Sequence, residues 1–264
     1  MVTADADGEG TRAHYDRLAG SFDANWSHSP QFLAWMRGAL RQRLAPAVGE
    51  RAMDLGCGTG LHTEALVPTE RTITAVDPSS AMLAQFLQRA GEGRIYPVRA
   101  TAQEVAAGQV ELPERAYEVV LAKEVLHHVP EHHRGEVVAG LARLLAPGGR
   151  LLVAMLPTVI GYPLWPSALE RFTALQPDPQ DIALAMRAAG LATEVTYAGF
   201  PLAFTRDRYL AMVRARYMSL LSHYDDSELE DGIAQILQEH GEAGEAGEFA
   251  FADRFAFVLG RAGA

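Results

Sequence analysis

The sequence predicts a doubly wound α/β fold, and three observations carry that expectation. A short apolar run, Ala52-Met53-Asp54-Leu55, breaks into glycines at alternate positions, Gly56, Gly58 and Gly60, and a helix-like stretch follows. This reads as a strand, a tight turn and a helix, with glycine allowing positive φ and leaving bare backbone in the turn. A second run, Thr72-Ile73-Thr74-Ala75-Val76, ends in Asp77, roughly twenty residues past the first acidic strand end. Strand-like and helix-like segments then alternate along the chain.

The N-terminal part, residues 14–45, reads as two helices. Ser29-Pro30 is a start signal for the second, and Phe32, Leu33, Met36 and Leu40 share one stripe. Strands are expected at 51–55, 72–76, 95–98, 117–121 and 150–155. Helices are expected between them at 61–67, 79–90, 102–107 and 132–145. The turn Ala146-Pro147-Gly148-Gly149 closes the last of these. Five prolines then fall between Pro157 and Pro179, with Tyr162, Trp165 and Phe172 among them. A helix at 180–189 ends at Gly190, and strand six is expected at 193–198. Strand seven waits until 254–259. The intervening block, 204–248, holds two expected helices, 206–222 and 227–240, and a low-complexity Gly/Glu/Ala loop. No repeat of solenoid length is visible. The expected organisation is a disordered leader over residues 1–12 and a single domain over 13–264. Within that domain 13–48 is helical, 50–200 and 250–264 form the core, and 157–176 and 204–248 form substrate-cap elements.

Composition narrows the function classes. Of the 264 residues, 48% are hydrophobic and 21% charged, as in ordinary globular proteins. The formal net charge is −10 and there is no Lys/Arg-rich run, so a nucleic-acid partner is not expected. The apolar stretches are too short to span a bilayer. The acidic N-terminus is unlike a secretory signal, and a single cysteine, Cys57, allows no intrachain disulfide; the expectation is cytoplasmic. Cys57 reads either as a nucleophile or, better, as a small filler in the glycine turn.

The two acidic strand ends and the glycine turn form a nucleoside-binding βαβ unit, because a carboxylate in the position of Asp77 can accept from both hydroxyls of a ribose. The spacing G-x-G-x-G, directly after an acidic strand residue, differs from the G-x-G-x-x-G of dinucleotide dehydrogenases. Asp54 would repel a phosphate but not an ammonium or sulfonium. Here the chain resembles the class I S-adenosylmethionine (SAM)-dependent methyltransferases, whose glycine motif reads as Asp54-Leu55-Gly56-Cys57-Gly58-Thr59-Gly60 does. The resemblance implies a seven-stranded, mostly parallel Rossmann-like sheet with an antiparallel last strand, and SAM as cofactor with S-adenosylhomocysteine as product. It places Asp54 near the methionine end and the three glycines under the ribose and methionine moieties. Asp77 takes the ribose hydroxyls or serves as a helix N-cap, or both. Pro78 and Met82 lie at the adenine face. Thr101-Ala102-Gln103 resembles the third motif, with Gln103 in place of the usual acid. The stretch 117–130 resembles the fourth, with Glu118 for Asp and Lys123 for a small residue, Lys123 meeting the cofactor through its backbone. His14-Tyr15-Asp16 resembles the family's opening motif and suggests that Tyr15 closes over the cofactor; a plain amphipathic helix is the other reading.

Methyl transfer from a sulfonium depends chiefly on alignment, and a base is needed only when the acceptor must lose a proton. His127 and His128, at the expected reaction edge, are the base candidates, with His128 slightly favoured and Glu124 a weaker alternative; a packing role is the other reading. His132 and His133 are expected to face solvent. The pattern H-H-x-x-x-H-H fits no zinc site, so no metal is expected. Arg216 falls on an apolar helical stripe with Tyr209, Met212, Val213 and Leu220. It pairs either with a protein carboxylate or with an anionic group of the acceptor. Tyr162, Trp165 and Tyr217 are candidate acceptor walls. The expected reaction is methylation of a small organic molecule in specialised metabolism, O first and C second. A quinone- or lipid-precursor C-methyltransferase and a non-catalytic SAM binder stand as alternatives, and a homodimer through the cap helices stays open.

Overall fold

The computed structural model describes residues 16, 19–20, 22–26, 28–69, 72–90, 95–240 and 247–263. The expected leader, Tyr15 and most of the Gly/Glu/Ala loop lie outside them. Strands β1 (Ala52–Leu55), β2 (Ile73–Val76), β3 (Ile95–Val98), β4 (Tyr117–Lys123), β5 (Leu145–Met155), β6 (Ala192–Thr205) and β7 (Glu248–Arg261) form one sheet, ordered β3-β2-β1-β4-β5-β7-β6. β1 to β5 pair in parallel, and β7 runs antiparallel to both β5 and β6. The sheet is therefore mostly parallel with an antiparallel last strand. The order reverses between β1 and β4, and ligands of open α/β sheets bind at such a switch point, beyond the strands' C-terminal ends.

β1 and β2 are buried at every position, as strands covered on both faces must be. One face is covered by α2 (Pro30–Leu44), whose Phe32, Met36, Leu40 and Leu44 recur every fourth residue and pack with Leu66, Leu121, Leu152 and Phe257. Burying each of these side chains contributes about 1.5–3 kcal/mol. Ser29 caps α2 by accepting the Phe32 N–H at 3.1 Å. The opposite face is covered by α4 (Ala102–Ala106), α5 (Glu131–Arg143) and α7 (Pro179–Ala188). At the N-terminal end of β4, away from the switch point, Glu118 accepts from the side chain and backbone of Arg51. The Arg51 guanidinium beside it holds the Glu118 carboxyl down to about 2.

Several boundaries differ from the sequence expectation. Residues 61–67 do not form an α-helix; the segment is a 3-10 helix, Thr63–Thr69. Pro68 has no N–H to donate and disfavours an α conformation at Val67. The proline-rich segment contains an additional helix, α6 (Pro166–Leu175). The expected helix 206–222 is two pieces, α8 (Arg206–Arg214) and a 3-10 turn, Ser219–His223. The expected helix 227–240 is α9 (Asp226–His240). β6 and β7 are far longer than expected, paired without interruption from Ala192↔Arg261 to Thr205↔Glu248. β5 pairs with β7 only as far as Met155↔Ala256, so residues 248–255 continue with β6 alone as a two-stranded ribbon beyond the C-terminal edge of β5. That ribbon leads into α8 and out of α9. Its Phe249 and Phe255, with Leu202 and Phe204 of β6, belong to the same apolar cluster as Tyr209, Leu229 and Ile233 of the cap.

Candidate active site

The glycine turn is built by β2. The Val76 carbonyl accepts the N–H groups of Gly56 and Cys57 at 2.7 and 3.0 Å. All three glycines have positive φ, but they serve different ends. A Cβ on Gly56 would stand 2.4 Å from Val125, and one on Gly60 would stand 2.2 Å from the Phe86 ring of α3 (Ser80–Ala90), so these two glycines let protein pack against the turn. Among the described residues a Cβ on Gly58 would meet only Phe22, at 4.0 Å. Gly58 alone of the three thus leaves its Cβ side open among the described residues. Cys57 is buried and burial drives its thiol pKa well up, which fits a filler and not a nucleophile.

Two carboxylates flank the turn. Asp77 accepts the Gly58 N–H and the Ser79 N–H, each at 2.9 Å, one on each oxygen. Burial raises its pKa to about 6. An ionised carboxylate offers about four acceptor positions, so two remain for a diol. The helix N-cap itself is Ser79, whose hydroxyl accepts the Met82 N–H at 3.1 Å. Asp54 is buried, accepts from the Thr63 hydroxyl, and burial raises it to about 7. A cation beside it would restore its charge. Pro78 is half-buried and Met82 buried next to Asp77. In the third motif Thr101 is engaged in a reciprocal capping box with Glu104. Ala102 is buried, and Gln103 lines an outer cleft between α4 and α5 with Gln109, His133 and Arg143. The Thr101 and Gln103 side chains are thus engaged elsewhere, while the backbone just before them stays tied to Asp77, whose carbonyl accepts the Ala100 N–H at 3.3 Å.

The N-terminal segment crosses this turn. Asp16 accepts from the Ser79 hydroxyl, and Asp23 of α1 (Phe22–Trp26) accepts from the Thr59 hydroxyl and pairs with Arg89. Tyr15 lies outside the described residues.

Beyond the C-terminal end of β4 buried polar side chains gather into a cluster, the polar chamber. The Lys123 ammonium sits 5.1 Å from the Phe255 ring centre. Burial lowers its pKa, while Glu124, Asp253 and Asp54 raise it. Its side chain therefore lies among these buried acidic groups. Glu124 has φ 55°, a strained value for a residue with a Cβ, and its carboxylate accepts the Leu156 N–H at 2.7 Å. His127 Nδ1 is 3.9 Å from the other oxygen of Glu124, and burial, with Arg134 and Lys123 nearby, lowers the ring to about 4. The His127 and His128 rings are 3.8 Å apart. His132 and His133 are exposed on α5, as expected. Among the described residues no group of three or more His, Cys, Asp or Glu side chains is placed to hold a metal ion.

Three chamber residues escaped the sequence reading: His28, His62 and Asp253. Asp253 is fully buried on β7 and accepts the Tyr162 hydroxyl at 2.8 Å. Its signal was legible, since Phe249, Phe251, Asp253 and Phe255 alternate along one face and an acid breaks the aromatic series. His62 follows the glycine turn and its Nδ1 is buried without a partner. His28 precedes the capping Ser29 in a left-handed conformation, φ 48°.

Arg216 is not on a helical stripe and does not face the chamber. It sits after α8 with φ 53°, and its guanidinium bonds Asp226 at 2.7 Å and the Tyr224 carbonyl at 3.1 Å. The protein carboxylate is its partner. Trp165 is also corrected, because it packs on α9, where a Cβ on Gly232 would come within 2.5 Å of its ring. Tyr162 reaches the chamber through Asp253. Tyr217 is buried behind it, its hydroxyl 3.4 Å from that of Tyr209.

A family model described as methyltransferase domain matches residues 52–149. A ubiquinone biosynthesis O-methyltransferase of Thiobacillus denitrificans is 32% identical over 164 residues, covering 57% of this chain and 68% of the relative. One of Caulobacter sp. is 38% identical over 113 residues, and there the chain spans only 42% of the relative's length, with 42% of this chain covered. Among solved structures, phosphoethanolamine N-methyltransferase 2 of Haemonchus contortus, in complex with S-adenosyl-L-methionine, superposes with a TM-score of 0.61 at 14% identity, over 100% of this chain and 61% of that one. That likeness carries the fold alone. With the glycine turn, the paired acidic strand ends and the sheet order, the sequence matches settle the family: the chain belongs to the class I SAM-dependent methyltransferases.

Proposed function

We propose that this protein transfers a methyl group from SAM to a hydroxyl oxygen of a small organic acceptor. The observation that supports the reading is the Gly58 turn, open on its Cβ side among the described residues and held by Asp77, with the buried Asp54 near Asp77. Bound there, SAM supplies an electrophilic methyl carbon on a cationic sulfur. Asp54 offsets positive charge, Asp77 holds the ribose diol, and Pro78 and Met82 cover the base. The acceptor oxygen attacks the methyl carbon as the carbon–sulfur bond breaks, its electron pair staying on sulfur. The acceptor's proton passes to His127, which burial keeps neutral and which Glu124 steadies once protonated. His127 is preferred to His128 because it is the ring set beside Glu124. The O-methylation named for the relatives supports this acceptor atom, and their biosynthetic setting supports a role in small-molecule metabolism, which we place in the cytoplasm. The test is transfer of radiolabelled methyl from SAM to a panel of hydroxylated and amino aromatic compounds. Label found only on nitrogen or carbon, or SAM retained with no transfer, would refute the reading.

A further inference from the structure

We propose that Asp253 and His28, with Tyr162 as a positioning residue, form a recognition subsite for a hydroxyl group of the methyl acceptor; this deepens the proposed reaction and rests on it. Asp253 lies where the β6–β7 ribbon leaves β5, over the switch point. Its Oδ1 accepts from Tyr162, but its Oδ2 is buried and has no hydrogen-bond partner among the described residues. Both ring nitrogens of His28 are also buried without partners. His28 Nε2 and Asp253 Oδ2 are 3.8 Å apart, too far for a hydrogen bond. Buried polar atoms are almost always bonded, so His28 Nε2 and Asp253 Oδ2, side by side, mark a position for another polar group. That group must suit an acceptor on one side and an imidazole on the other. Once the Asp253 carboxyl is ionised, a hydroxyl can donate to it and accept from an imidazole N–H at once.

The surroundings define the rest of the ligand. Phe32, Phe204 and Trp26 ring His28 with centroids at 4.6, 5.5 and 6.0 Å. Arg208 donates to the His28 backbone carbonyl, and the charges of Lys123 and Arg208 both act on the His28 ring. The site therefore sets aromatic rings around His28, with Lys123 as the charged group nearby and the Asp253–His28 pair as the hydrogen-bonding anchor, the arrangement by which a pocket tells a hydroxylated ring from its apolar isostere.

The test titrates the full chain, loaded with S-adenosylhomocysteine, with phenol and with toluene. The two probes share a shape and differ in the hydroxyl. Phenol is expected to bind roughly tenfold tighter than toluene. Asp253→Asn and His28→Asn should each bring that ratio close to one, and Tyr162→Phe should lower it less. Equal affinities in the wild-type chain, no phenol binding, or a ratio unchanged in both anchor variants would overturn the subsite. A bound water that bridges Asp253 and His28 and stays when phenol is soaked into crystals would overturn it too. Melting curves identify a variant that fails to fold, and the remaining variants then decide. Failure to bind S-adenosylhomocysteine would count against the methyltransferase reading, while the phenol–toluene ratio can still be read in the ligand-free chain.

Discussion

Asp77 accepts the backbone N–H of Gly58 at 2.9 Å, so the end of β2 fixes the middle of the glycine turn. The same carboxylate holds the Ser79 amide that leads into α3. One side chain therefore sets both the open backbone face and the acidic group that meets a ribose there. The neighbouring glycines do a different job, with Gly56 and Gly60 admitting Val125 and Phe86 so that the turn stays packed.

Asp77→Ala should weaken S-adenosylhomocysteine binding at least about tenfold and lower stability by about 1–3 kcal/mol, because two amides lose their acceptor. Gly58→Val should weaken binding as much, since a branched side chain at φ 53° is strained and fills the open face. Calorimetry and melting curves measure both effects. Unchanged affinity in both variants would remove the cofactor site from this turn.

His127→Ala should lower the turnover number roughly 10²–10⁴-fold with a hydroxyl acceptor, with S-adenosylhomocysteine affinity nearly unchanged. His127→Gln should not recover the rate, because an amide takes up no proton. Steady-state kinetics with saturating cofactor check this, and an unaltered rate would leave alignment alone to carry the reaction.

Burial raises the Asp253 carboxyl to about 7 from an ordinary value of 3.8. Between those values the unfolded chain ionises this group and the folded chain keeps its proton. Stability from Asp253 is thus retained at low pH and lost as pH rises from about 4 to about 7. Asp253→Asn has no such loss. Its stability relative to wild type should grow across that window, with an upper bound on the order of 4 kcal/mol at about 1.4 kcal/mol per unit. Urea unfolding at several pH values reads the difference, and a difference that is flat with pH would show that Asp253 is ionised in the folded chain.

Much of this molecule was legible from local pattern. The glycine turn, both acidic strand ends and the alternation of β and α segments are encoded within a few residues each, and the structure places Asp54, Gly58 and Asp77 together as that pattern implies. The chamber was harder to read. Its histidines and Asp253 come from four distant parts of the chain, and only the β6–β7 ribbon brings Asp253 toward His28. The ribbon was cut short in the sequence reading because the polar Gly/Glu/Ala loop stood beside it, although Phe249, Phe251 and Phe255 keep strict alternation. Arg216 was misplaced for the opposite reason. Helical spacing fits it well, but nothing in the spacing reports a change of backbone sign.

That change of sign gives the last prediction. The Tyr217 N–H bonds the Met212 carbonyl and the Arg216 N–H bonds the Val213 carbonyl, the pair of bonds that closes a helix with a left-handed residue. Arg216 is that residue, in a position where glycine is preferred, and an L side chain there costs about 1–2 kcal/mol. Its ion pair with Asp226 repays little, because Asp226 is almost wholly exposed and such surface pairs contribute about 0–1 kcal/mol. Arg216→Gly should therefore leave stability unchanged or raise it by up to about 1 kcal/mol. It should also leave the Michaelis constant for the acceptor unaltered, since the guanidinium points to the Asp226 end of the cap. Thermal melts and acceptor kinetics on one preparation test both halves. A raised acceptor constant in a fully folded Arg216→Gly protein would return this arginine to the binding site.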